Sequence, residues 1–167
     1  MKLRIGALVA VAVVAAAYFS DKIALPFWHG SFEDKVVSIA SEDVEMNAAI
    51  AKARATLPDF WSKFASPASN EEGFALKLGI SEGDETEHFW CNNIKGNAEK
   101  ASCEINNEPV TVHSVKLGQR VDVDSAIISD WMYTFSGKIK GGQTIRALLP
   151  HLAGEEAEMT KAMLADE

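Results

Sequence analysis

Residues that announce chemistry are scarce in this chain. Its 167 residues include two cysteines, four histidines and five prolines, and acids outnumber bases 24 to 16. The two cysteines have no C-x-x-C spacing, which argues against a redox-active pair. The net charge of −8 comes with no basic patch, so phosphate contacts have nothing to build on. Nucleic acid is therefore not an expected partner, and anionic lipid surfaces would repel the chain. No G-x-S-x-G, P-loop, H-E-x-x-H or glycine-rich dinucleotide turn occurs. His29, His88, His113 and His151 are scattered without ligand spacing. The stretch "DVDSAIISDWMY" opens like a calcium loop with Asp122 and Asp124. It then puts Ala126 at the third ligand place, Ile127 where glycine is needed and Tyr133 where a bidentate Glu belongs. Neither a metal nor a cofactor is expected.

The one long apolar run stands near the N-terminus. Lys2 and Arg4 precede "IGALVAVAVVAAA", which ends in Ala15, Ala16 and Ala17. This is the pattern of a secretory signal and predicts cleavage after Ala17. An uncleaved inner-membrane anchor is the alternative, and the only expected route to a membrane. Residues 5–19 would make about 22 Å of helix, short of a ~30 Å hydrocarbon layer. Either way the remaining chain is predicted to be exported to the periplasm. Removing residues 1–17 takes away Lys2 and Arg4 and no acid, so the formal charge moves from −8 to −10. Residues 18–34, with Pro26 and Gly30, read as a linker or arm, and 35–167 as one domain.

Cys91 and Cys103 flank "NNIKGNAEKAS", whose midpoint is Asn97. An antiparallel hairpin turning there sets the two cysteines opposite one another, within disulfide reach. In an oxidising compartment the pair is expected to be bonded. Two buried free thiols are the alternative.

Hydrophobic periodicity gives the remaining elements. "KVVSIA", 35–40, reads as a short strand. Ser41 or Asp43 then caps a helix with Met46, Ala49, Ile50, Ala53 and Leu57 on one stripe, broken by Pro58. "DFWSKF" adds a further helical turn or two. In "FALKLGI" the period changes to two, placing Phe74, Leu76, Leu78 and Ile80 on one face of a half-buried strand. "HFWCNNI" and "KASCEIN" form the hairpin. "VTVHSVKLGQRVDV" reads as two strands around Gly118, and "WMYTFSGKIKG" as strand with a turn at Ser136-Gly137. Thr144 is a candidate cap for a helix carrying Ile145, Leu148, Leu149 and Leu152, with a last helix over about 155–165. The order is helix, five to six strands, two helices, without β–α–β alternation. That predicts an α+β fold with a curved antiparallel sheet and excludes a doubly wound nucleotide fold.

Few side chains remain as candidates for chemistry. Glu87 and His88 are neighbours on a strand, so they face opposite sides and share no site directly. The same alternation separates His88 from Cys91. "INNEP", 105–109, ends a strand with two Asn, Glu108 and a proline, and reads either as an edge-strand exit or as part of a site. "ISDWMY", 128–133, combines Asp130 with Trp131 and Tyr133. Either these aromatics line a ligand groove, or they pack on a helix while Asp130 closes the preceding turn.

Taken together, "EMNAAIAKARATLPDFW", "GFALK", "EHFW", "INNEP", "ISDWMY" and "GGQTIRALL" resemble the YegJ-like family of bacterial proteins, a domain of unknown function. The resemblance runs from about Lys35 to the C-terminus and implies a small α+β domain, with no established activity to carry over. Its matching positions are Trp90, Asn107, Glu108, Pro109, Asp130, Trp131 and Arg146, while the cysteine pair is outside the family pattern. The leading expectation is an exported binding module with a protein partner, protective against a toxin or supporting the envelope. Trp90, Asn107, Glu108, Asp130, Trp131, Tyr133 and Arg146 are its candidate contacts. The alternative is a hydrolase of envelope material, with Asp130 and Glu108 as its carboxylate pair.

Overall fold

The computed structural model describes residues 44–166, so the expected signal, the arm and the strand over 35–40 lie outside the described residues. The first helix, α1, is Val44–Ala55, and α2, Leu57–Ala65, follows after a break at Thr56. All five residues of the expected apolar stripe, Met46, Ala49, Ile50, Ala53 and Leu57, are buried or half-buried. Pro58 sits in the first turn of α2, where the N–H it lacks would have no intrahelical partner.

Six strands make one open sheet: β1 Glu71–Glu82, β2 Glu85–Gly96, β3 Ala101–Ile105, β4 Arg120–Val123, β5 Ile128–Phe135 and β6 Lys138–Gly141. Their spatial order is β4-β3-β2-β1-β5-β6, and every ladder is antiparallel. The chain closes with α3, Gln143–Leu148, and α4, Gly154–Met163. The expected α+β architecture is the observed one. The β5–β6 turn falls where the sequence places it, with Ser136 at φ 50° and Gly137 at φ 78°. Two successive positive φ values match the twist of a tight hairpin. Among the described residues no helix is long and apolar enough to cross a membrane.

The sheet is covered on both faces, which corrects the expectation of a half-buried strand at "FALKLGI". Ala75, Leu76, Lys77 and Leu78 are four consecutive buried residues. One face sends Leu76, Leu78, Phe89, Trp131 and Tyr133 into the main core, where Phe60 of α2 is completely buried. The other packs Ala75 and Trp90 against Ile139, Ile145 of α3 and Leu164. An inward side chain on that second face, Lys77, is therefore as deeply buried as the leucines beside it.

Cys91 and Cys103 form the expected disulfide, with a Cα separation of 5.6 Å. The route differs from simple opposition. Cys91 is paired with Ile105, and the register shifts between Asn92 and Lys95, so Cys103 lies opposite the extra residue of a β-bulge. Asn93 takes the positive φ of 47° that the bulge requires.

Three further expectations fail locally, each because a side chain claims backbone groups that a local reading assigns elsewhere. "VTVHSV" forms no strand. The Glu87 carboxylate accepts from the N–H groups of Val110, Thr111 and Val112 at 2.9–3.1 Å, and Glu82 accepts from His113 N–H at 2.6 Å. Those donors are unavailable to a ladder. Ser129 and Asp130 stand within β5, and the preceding turn, Ser125–Ile127, is closed by Asp124 accepting from Ala126 N–H. Thr144 is inside α3, whose cap position is Gly142 with φ 62°.

Candidate functional site

Asp130 explains how α3 begins without a capping side chain of its own. From the second face of the sheet, its Oδ1 accepts from the backbone N–H of Trp131 at 2.8 Å and of Gln143 at 3.1 Å. Its Oδ2 accepts from Thr144 N–H at 2.8 Å and from the Thr144 hydroxyl at 2.7 Å. A carboxylate on β5 thus satisfies the first orphan donors of a helix that starts across a hairpin. Four donors occupy its lone pairs, and the residue is fully buried. Burial pushes the Asp130 carboxyl above the ordinary carboxylate range, opposed by the Lys77 ammonium and by these hydrogen bonds.

Lys77 is the cross-strand partner of Asp130 in the β1–β5 ladder. Its Nζ donates to Thr144 Oγ1 at 3.0 Å and stands 5.5 Å from the Trp90 ring centroid. The Thr144 hydroxyl therefore relays between the ammonium and the carboxylate. Burial lowers the Lys77 pKa to about 8, with Asp130 pulling it back up. Beside this triad, His88 Nδ1 is 2.8 Å from Ser129 Oγ, and the Ser129 hydroxyl reaches the Lys77 carbonyl at 3.3 Å. Burial, then the charges of Lys77 and Arg54, bring the His88 pKa down to about 4, so the imidazole is neutral at physiological pH. Gly79 makes room for this ring, since a Cβ there would lie 3.1 Å from His88 Cε1.

The seven sequence candidates are divided among separate places. Trp90 and Asp130 share the second face, linked through Lys77. Trp131 and Tyr133 lie on the first, with ring centroids 6.0 Å apart and Tyr133 stacked on Phe74 at 5.0 Å. The Trp131 indole donates to Ala53 O of α1 at 2.9 Å, so the aromatics do pack on a helix. Asn107 accepts from Trp90 N–H at 2.9 Å, taking over the edge of β2 where β3 stops. Arg146 is half-buried and donates to Gly141 O and Ala165 O, joining α3 to β6 and the C-terminal segment. Of the seven, Glu108 alone is exposed.

Lys77 and Ser129 were not singled out by sequence, Thr144 was read only as a helix cap, and Glu87 only as a neighbour of His88 with which it shares no site. For Lys77 a signal existed: Ala75 and Gly79 flank it on the same strand face, small residues that leave room for a covering layer. Nothing local marked the loop-holding role of Glu87, whose partners lie 23 to 25 residues away.

Chemically, this polar core is closed. Among the described residues every buried side-chain N or O has a hydrogen-bond partner, and no three His, Cys, Asp or Glu gather to hold a metal. The loop over residues 106–119 is different. It is irregular, yet fixed by Glu87, Asn107 and Glu82 and by the buried Val112 and Val115. It presents Glu108, Val110, His113 and Leu117 to solvent.

A family model described as "Uncharacterized protein conserved in bacteria (DUF2314)" matches residues 43–164. The chain is 40% identical over 91 residues to the uncharacterized protein YegJ of Escherichia coli K12, covering 54% of this chain and 60% of the relative. It is 29% identical over 126 residues to a putative ankyrin repeat protein of Neisseria meningitidis serogroup B, covering 71% of this chain and 50% of the relative. The chain thus spans between half and 60% of the length of these relatives. No solved structure matches.

Proposed function

The chain belongs to the DUF2314 family of uncharacterised proteins conserved in bacteria, and we propose that it is an exported interaction module for a protein partner. The observation that carries this reading is the preorganised loop over residues 106–119. A 14-residue connection without secondary structure is long for a compact domain, and such loops are usually functional. A loop held rigid before binding loses little entropy when a partner docks. Here the rigidity comes from buried Glu87, and the loop exposes apolar Val110 and Leu117 together with Glu108, with Glu82 held against it at His113. A basic partner face complements that charge.

Export is supported by the N-terminal signal pattern and by the Cys91–Cys103 disulfide, a bond that persists in oxidising compartments. Hydrolysis by Asp130 and Glu108 has less support. Asp130 is buried with its lone pairs occupied, and Glu108 is exposed at the loop.

The test is capture from periplasmic extract by the tagged chain, comparing wild type with a Glu108→Lys, Val110→Asp, Leu117→Asp variant. Proteins captured by wild type should be lost from the variant, while both give the same circular dichroism spectrum. Equal recovery by the two folded proteins rejects the loop as the contact surface.

A further inference from the structure

We propose a second docking site, between β6 and α4, for an acidic peptide segment in extended conformation. It lies at the opposite edge of the sheet from the β3–β4 loop and rests on different residues. An open basin of about 630 Å³ is lined there by Phe135, Lys138, Lys140, Glu158, Lys161 and the C-terminal segment through Asp166. Three lysines converging on one hollow are unexpected in a chain of net charge −8.

Their partners make the point sharper. Lys63 pairs with Glu71 at 2.8 Å and Arg120 with Glu104. Lys138, Lys140 and Lys161 have no carboxylate within 4.0 Å among the described residues. Lys138 Nζ donates to Ala162 O and Lys140 Nζ to Asp166 O, both neutral backbone carbonyls. An ammonium has three donors, so each retains two for an incoming anion. A carboxylate is a stronger acceptor than the water those donors now meet.

Spacing selects the form of the ligand. Lys138 and Lys140 are two residues apart on β6, paired with Phe135 and Tyr133 of β5, so the lysines and the Phe135 ring share one face. Their separation along the strand is about 7 Å, the same repeat as alternate side chains of an extended peptide. Phe135, 40% exposed, offers an apolar contact between the acids. Glu158 and Asp166 border the same basin and act on any anion, so a ligand must set its acids beside the lysines, as a strand with acids at every second position does for Lys138 and Lys140 together.

The experiment is fluorescence anisotropy of the full chain with a labelled ten-residue peptide of alternating Glu and Val. The same peptide with Lys in place of Glu is the control, and citrate the small-anion competitor. The Glu peptide should bind, weaken as salt rises, and lose at least about fivefold in affinity with Lys161→Glu, a shift of about 1 kcal/mol. Lys161 anchors no other segment among the described residues, so that variant keeps the fold, as circular dichroism will verify. Lys100→Glu, on the β2–β3 turn, should leave binding unchanged. No binding at about 1 mM, equal binding of the Lys peptide, or indifference to Lys161→Glu would overturn the proposal. Citrate binding as tightly as the peptide would also overturn it, in favour of a simple anion site.

Discussion

Replacing Asp130 by Ala tests the reasoning about the buried core most directly. The substitution removes the acceptor of three backbone N–H groups, those of Trp131, Gln143 and Thr144, and of the Thr144 hydroxyl. Each buried donor left unpaired costs about 1–3 kcal/mol. It also removes the charge that holds the Lys77 pKa up, so Lys77 sheds its proton more readily while its Nζ keeps Thr144 Oγ1 and the Trp90 face. These contributions overlap, because Thr144 Oγ1 can turn toward Lys77 and water can enter the space. A net loss of about 4–6 kcal/mol follows, a large share of the ~5–15 kcal/mol that holds a domain of this size together. Urea unfolding of wild type, Asp130→Ala, Lys77→Met and the double variant measures it, with the slope of the transition as the check that unfolding stays two-state. Lys77→Met should cost less in the Asp130→Ala background than in wild type, with a coupling of about 1–3 kcal/mol. A loss under about 1 kcal/mol for Asp130→Ala, or strictly additive variants, would refute the account of this cluster.

Other outcomes are equally definite. The folded pKa of Lys77, about 8, is below its ordinary 10.5, so between those values the unfolded chain holds a proton that the folded one has released. Stability should therefore rise with pH across that window, by up to about 3 kcal/mol, and Lys77→Met should flatten the rise. His88, brought down to about 4 from 6.5, has the same sign. Its NMR signal should show no titration near pH 6.5, and the stability it contributes should fade as pH drops below that value. Glu87→Gln should speed hydrogen exchange at Val110, Thr111 and Val112 and expose the 106–119 loop to protease, whereas unchanged exchange would mean the carboxylate is not what holds it. Thiol labelling of the unreduced protein should find no free cysteine, and reduction should lower stability by about 3 kcal/mol.

Much of the architecture is legible in the periodicity. The stripe Met46, Ala49, Ile50, Ala53, Leu57 is the buried face of α1, and the step from period 3.6 to period 2 marks the entry to β1. The turn at Ser136-Gly137 and the hairpin around Asn97 are short-range signals written in residues that tolerate positive φ. Less legible was "IISDWMYTF". It was open to two readings: a groove lined by its aromatics, or aromatics packed on a helix with Asp130 closing the preceding turn. In the fold, alternation along β5 sends Asp130 to one face and Trp131 and Tyr133 to the other, so these residues never formed one patch.

Sequence alone determined what depends on neighbours along the chain: the element types and their order, the two-residue turns, the cysteine pair and the acidic exterior. The tertiary structure decided where the polar side chains send their hydrogen bonds. Asp130 caps a helix 13 residues onward, Glu87 holds a loop 23 residues away, and Lys77 is buried because α3 and the C-terminal segment close over its face. The physical reason is common to all three. Hydrophobic pattern is set within a few residues by the pitch of a helix or the pleat of a strand. The partner of a buried charge is chosen by long-range packing, which must satisfy every polar group it removes from water.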